Sequence, residues 1–179
     1  IEGASFGEAL SRKNEVVSAL NNKNYNNLAS IENIDILDYK AKFISNNEIA
    51  LLDEAGNVKN RLTGDKIVIN TGAQANIPNI KGIDTTKNIY DSTGLLNIDF
   101  QPQELVIVGG GYIALEFASM FSNLGSNVTV LEYGNVMMPR EDREVAELAI
   151  QDLRNKGISV YTNVETTAFS NCRLYTSPS

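Results

Sequence analysis

The chain is 179 residues long, carries a formal charge of −7 and is 42% hydrophobic, enough apolar material for an ordinary core spread over one α/β domain or parts of two. Acidity without any Lys/Arg cluster excludes a phosphate-backbone partner such as nucleic acid, and no apolar run approaches the ~20 residues of a membrane span. With no His and only Cys172, this chain alone builds no Cys/His metal site, no His-based triad and no internal disulfide.

The first residues, IEGASFGEAL, lack the charged-then-apolar profile of a signal peptide, so the expected location is the cytoplasm. A chain that opens on Ile rather than Met is expected to be a fragment. Residues 5–29 carry Phe6, Leu10, Val17 and Leu20 at mostly helical spacing, which predicts a surface helix followed by an Asn-rich loop over Lys23 to Asn27. Ile34, Ile36 and Leu37 predict a strand, and Lys40 to Phe43 a second, short one leading into a turn at Asn46-Asn47. Ile49 to Leu52 and Val58 to Leu62 flank Gly56-Asn57 and predict a β-hairpin, so the region reads as a small antiparallel meander.

Lys66 to Asn70 has the composition of a buried strand, and Thr71-Gly72-Ala73 follows it directly. Such an ending presents backbone N–H groups and small side chains at the carboxyl end of a strand, where ligands bind in open α/β sheets. A loop through Pro78 and Gly82 comes next. Asp91-Ser92-Thr93 then reads as an N-cap for a short helix over Gly94 to Leu96, and Pro102 marks a linker.

The most informative stretch is Glu104 to Glu132, ELVIVGGGYIALEFASMFSNLGSNVTVLE. Leu105 to Val108 form a short apolar, β-branched run that three glycines end at once. Ile113, Phe117, Met120 and Leu124 recur at spacings of three and four and predict a helix with all four on one face, and Gly125 stops it. Val128, Val130 and Leu131 begin a second strand that finishes on Glu132. The resulting Gly109-x-Gly111-x-x-Ala114, with an acid 23 positions after Gly109, is the pattern of a dinucleotide-binding β-α-β unit. Gly109 permits the tight turn, Gly111 lets a pyrophosphate approach the backbone, and Ala114 lets the helix lie close on the strand. The helix N-terminus offers N–H groups and partial positive charge to the phosphates. Glu132 accepts hydrogen bonds from a ribose diol and repels a 2′-phosphate, and no Arg or Lys lies between positions 133 and 139, so NADH is favoured over NADPH.

After Glu132, a loop through Met137, Met138 and Pro139 leads to a helix expected from about Arg140 to Lys156, closed by Gly157, with Val145, Leu148, Ala149 and Leu153 on one face. Ile158 to Tyr161 predicts a third strand, giving half a doubly wound parallel sheet. Val164 to Phe169 is expected to begin another element. The final CRLYTSPS continues no pattern and is read as a non-native tail, residues 172–179.

The segments KIVINTGAQANIPNIKGI, YDSTGLL, ELVIVGGGYIALEFASMFSNLGSNVTVLE and PREDREVA together resemble the class I FAD-dependent pyridine nucleotide-disulfide oxidoreductases. GAQ, YDSTGLLN, EFASMF and PRED resemble most the mercuric-reductase-like branch linked with resistance to reactive chlorine species and hypothiocyanous acid. The resemblance implies a fold of two dinucleotide-binding domains, present here in part. Residues 1–101 would be the middle of the FAD domain with its antiparallel meander, and 102–171 the first half of a Rossmann NAD(P)H domain. It implies FAD contacts at Thr71, Gly72 and Ala73, and at Ala41 in a turn where Tyr39 replaces the family's first glycine. It implies that Tyr112 is an aromatic ring covering the flavin until the nicotinamide arrives, and that Glu116 is the carboxylate that pairs with a lysine outside this chain. Gly109, Gly110, Gly111, Tyr112, Ile113, Glu116 and Glu132 form the expected nicotinamide-nucleotide site.

The activity so implied is transfer of hydride from NAD(P)H to FAD and then, in a full-length homodimer, to a redox-active cysteine pair and a small-molecule acceptor. The cysteine pair, the FAD pyrophosphate glycines and the dimerisation domain are not in this sequence, so the chain alone is expected to be inactive. Two other readings stay open: an FAD-dependent NADH oxidase-like enzyme without the disulfide, and a non-catalytic NAD-binding module. The Thr71-Gly72-Ala73 segment favours the flavoprotein, because a sensor needs no second cofactor site.

Overall fold

The structure, a computed structural model, describes residues 5–171. The chain divides into two compact units, one of Lys13–Gln74 and one of Ile1–Arg12 with Ala75–Ser179.

Helix α1 runs over Phe6–Ala29. It opens on a reciprocal cap: the Ser5 N–H donates to Glu8 Oε2 at 2.8 Å and the Glu8 N–H to Ser5 Oγ at 3.3 Å. The Ser5 N–H first, and the Ser5 hydroxyl, which donates to the same Oε2 at 2.9 Å, hold the Glu8 carboxyl below the usual carboxylate range. The expected Asn-rich loop does not form, since the helix continues through Lys23 to Asn27. Each Asn costs only ~0.7 kcal/mol relative to Ala, and every residue added to an existing helix gains a backbone bond.

In the Lys13–Gln74 unit, β1 (Lys40–Phe43), β2 (Glu48–Leu52) and β3 (Val58–Thr63) form the expected antiparallel meander, in that order. Gly56, at φ +83°, makes the turn. Asp53 anchors it by accepting from the Asn57 N–H at 2.8 Å and pairing with Lys59 at 3.1 Å. The Asn57 N–H first, and Lys59 second, hold the Asp53 carboxyl below the usual carboxylate range. Two expected strands are absent. Residues 34–37 and 66–70 have no ladder partner among the described residues, and Val68 and Ile69 are 87% and 68% exposed. A β-branched run becomes a strand only where another strand receives its N–H and C=O groups.

In the other unit, β4 (Glu104–Val108), β5 (Asn127–Leu131) and β6 (Ser159–Tyr161) form a parallel sheet with β5 in the middle. Helix α2 (Ser92–Leu95) carries the expected N-cap, Asp91 accepting from the Gly94 N–H at 2.6 Å. Helices α3 (Tyr112–Asn123) and α4 (Arg143–Asn155) connect the strands, and Gly125 and Gly157 end them at φ +97° and +81°. The core gathers Ile98, Ala118, Phe121, Val128, Val130, Met137, Leu153 and Ile158. Phe121 stacks between Phe6 and Phe117 at centroid distances of 6.2 and 6.3 Å.

On each helix the face that carries the apolar residues singled out by spacing is only partly buried: Leu153 is in the core and Phe117 packs against it. On α3 the buried residues are Ala114, Ala118 and Phe121, while Ile113 and Met120 are exposed. On α4 they are Ala146 and Leu153, and Val145 and Leu148 are 62% and 68% exposed. A helix that lies close on a sheet needs small residues at the contact, so the alanines face inward and some larger side chains face out. Residues 164–169 hold one parallel bridge, Lys81 with Ala168. The expected tail, residues 172–179, lies outside the described residues.

Candidate functional site

The turn between β4 and α3 is built by backbone geometry. Gly109 has φ +111°, a region that disfavours any side chain, and its N–H still donates to the Leu131 carbonyl at 2.8 Å, extending the β4–β5 ladder by one bond. Gly111 is the N-cap of α3 and makes no side-chain cap bond. The other helices differ: α1 has Ser5, α2 has Asp91, and α4 has Asp142, which accepts from the N–H groups of Glu144 and Val145 at 3.0 and 3.2 Å. A Cβ on Gly111 would meet nothing within 4 Å. The first N–H groups of α3 therefore lie beside open space at a glycine, with the positive end of the helix dipole behind them. That arrangement fits a pyrophosphate.

Glu132 directly follows β5. Its N–H donates to the Tyr161 carbonyl at 2.8 Å, and its own carbonyl accepts from the Val164 N–H at 3.0 Å, which fixes the residue beyond the strand. Its carboxylate accepts from the Gly134 N–H at 2.5 Å. The same carboxylate lies over Gly110: a Cβ there would come within 2.7 Å of Glu132 Oε2. An anionic acceptor is thus held next to the glycine turn, the position a ribose diol requires.

Gly109, Gly110, Gly111 and Glu132 thus meet at the carboxyl ends of β4 and β5. Tyr112 and Ile113 open α3 beside them and are 63% and 43% exposed. Glu116 stands a turn further along, in a shallow groove with Ser119, Met120, Ala149 and Asp152. The other expected residues belong to the Lys13–Gln74 unit. Ala41 lies in β1 opposite Leu51, and Thr71, Gly72 and Ala73 are exposed outside any helix or strand, with Gly72 at φ +77°. Among the described residues no group of three acidic or Cys side chains is placed to hold a metal. None of the described helices is long and apolar enough to cross a membrane.

Sequence reasoning placed the loop after β5 but gave it no part in the site. Met137 and Met138 are buried, the Met138 N–H donates to the Gly110 carbonyl at 2.8 Å, and the Met137 sulfur packs on Gly110. The signal lay next to them: PRED, which carried the family resemblance, follows Met137-Met138 directly but was given no role.

A glycine turn, an uncapped helix start and an acid after the second strand are shared by many nucleotide-binding proteins. A family model described as pyridine nucleotide-disulphide oxidoreductase decides among them, matching residues 1–175. The chain belongs to the pyridine nucleotide-disulphide oxidoreductase family. Among other members, it is 48% identical over 166 residues to the Escherichia coli protein named "Probable pyridine nucleotide-disulfide oxidoreductase RclA", covering 93% of this chain and 37% of RclA. It is 30% identical over 151 residues to the mercuric reductase of Bacillus cereus, covering 84% of this chain and 23% of that enzyme. The solved structure of the HOCl-induced flavoprotein disulfide reductase RclA from E. coli superposes with a TM-score of 0.83 at 48% identity, over 90% of this chain and 36% of the other. Its Cu(II) complex gives 0.87 at 47% identity, over 94% and 38%. The fold is therefore the α/β flavoprotein fold in part, and the chain spans well under half the length of these relatives.

Proposed function

We propose that this chain is part of an FAD-dependent oxidoreductase in which Gly109 to Glu132 binds NADH and the Lys13–Gln74 unit contributes to the FAD site. The observation that carries the reading is the uncapped start of α3 at Gly111, with the Glu132 carboxylate held beside the same turn. Residues 1–101 are assigned to the FAD domain and 102–171 to the NAD(P)H domain.

Each residue then has a task. The N–H groups at Gly111 and the start of α3 hold the pyrophosphate, and Gly110, Tyr112 and Ile113 border it. Glu132 binds the adenosine ribose through both hydroxyls and discriminates against a 2′-phosphate, so NADH is preferred. Tyr112, whose exposed ring stands at the helix start, covers the flavin face and yields to the nicotinamide. Glu116 orients a lysine contributed by another part of the protein. Thr71, Gly72, Ala73 and Ala41 contact FAD through backbone and small side chains. FAD, when bound, accepts two electrons with the nicotinamide hydride and passes them onward.

In the complete protein, assigned to the cytoplasm with the NADH pool and to a homodimer, the electrons continue to a cysteine pair and a small-molecule acceptor. The resemblance to disulfide reductases supports this. The test is anaerobic addition of NADH to the purified full-length protein. Excess NADH, enough to reduce both a cysteine pair and the flavin, is expected to bleach the oxidised flavin absorbance. A protein that retains no flavin, or whose flavin stays oxidised with both NADH and NADPH, overturns the reading.

A further inference from the structure

The loop that packs on the dinucleotide turn is held from outside the motif. Arg143, the first residue of α4, donates from Nη1 to the Met137 carbonyl at 3.1 Å, and from Nη2 to the carbonyls of Met138 and of Glu141, the latter at 3.1 Å. A planar guanidinium can serve several acceptors in fixed directions, which an ammonium cannot do in the same way. Met138 sits inside this clasp with φ +47°, a left-handed conformation that a non-glycine residue keeps only where its surroundings impose it. From there its N–H donates to the Gly110 carbonyl at 2.8 Å. The buried Met137 places its sulfur 2.5 Å from where a Gly110 Cβ would stand, and the Glu132 carboxylate lies on the same atom position at 2.7 Å. Contacts thus run without a break from Arg143 through Met137 and Met138 to Gly110 and Glu132.

We infer that Arg143 is a positioning residue for the nicotinamide-nucleotide site: by clasping Met137 and Met138 it fixes Gly110 and the Glu132 carboxylate, and so sets NADH affinity. The inference rests on the reading of Gly109 to Glu132 as an NADH site. Since Arg143 acts only on binding, its loss raises KM and leaves the chemical step at saturation alone.

The test uses the complete, FAD-loaded protein. Arg143→Met should raise KM for NADH about tenfold, the scale of one to two net hydrogen bonds. Its kcat at saturating NADH and its FAD content should stay within about twofold of wild type. Arg143→Lys keeps the charge and most of the length and should give an intermediate rise; it carries the test if Arg143→Met does not fold. Ile158→Val thins the core and should lower Tm with KM for NADH unchanged. An unchanged KM in the soluble Arg143 variants overturns the inference, as does a rise that Ile158→Val reproduces at equal loss of Tm. Wild-type protein that shows no saturation with NADH instead overturns the reading beneath it.

Discussion

Gly110 and Glu132 are fitted so closely that a methyl group on the glycine would stand 2.7 Å from the carboxylate Oε2 and 3.0 Å from the Glu132 Cβ. Gly111, one residue on, faces open space out to 4 Å. Two neighbouring glycines therefore have different surroundings, one closed by the protein and one open.

Alanine substitution separates them. Gly110→Ala should destabilise the protein by about 1–3 kcal/mol, as overpacking does, and should weaken NADH binding by displacing Glu132. Gly111→Ala should cost about 1 kcal/mol at most, from loss of a glycine N-cap, yet raise KM for NADH on the order of tenfold by obstructing the pyrophosphate. Thermal unfolding and steady-state kinetics check the pair. Equal effects on stability with no difference in KM would contradict the assignment.

Tyr112 presents a largely exposed ring at the start of α3. If it covers the flavin, Tyr112→Ala should change the rate of flavin reduction in stopped-flow traces while leaving FAD occupancy intact. Unchanged kinetics would make it an ordinary surface tyrosine.

The sequence was most legible where local chemistry and tertiary demand agree. Gly109, Gly125 and Gly157 each mark a real positive-φ turn, and the apolar runs next to them are real strands. It was less informative where hydrophobicity and burial part: Ile113 and Met120 outrank Ala114 and Ala118 in hydrophobicity, but close approach of α3 to the sheet selects the alanines. Residues 66–70 failed for another reason, since a strand is a property of two segments and periodicity sees one. In the site, Gly111 and Glu132 were readable from spacing, whereas the clasp of Arg143 on Met137 and Met138 depends on a loop geometry that no spacing encodes.

Acid should act on the β2–β3 turn through Asp53. Its carboxyl is held below the usual range by the Asn57 N–H and by Lys59, so the charged form is favoured in the folded state. The resulting stabilisation is complete above the unfolded value near ~4 and is lost as pH falls through the lower folded value. The stability difference between wild type and Asp53→Ala should therefore shrink on acidification below about pH 4. A difference that widens at low pH would contradict this account.

The most direct test compares kcat/KM for NADH and NADPH in the complete protein and in Glu132→Ala. The account predicts that wild type prefers NADH, and that the variant loses about tenfold or more with NADH while changing little with NADPH. A wild-type protein that already prefers NADPH, or a variant equally impaired with both, would contradict it.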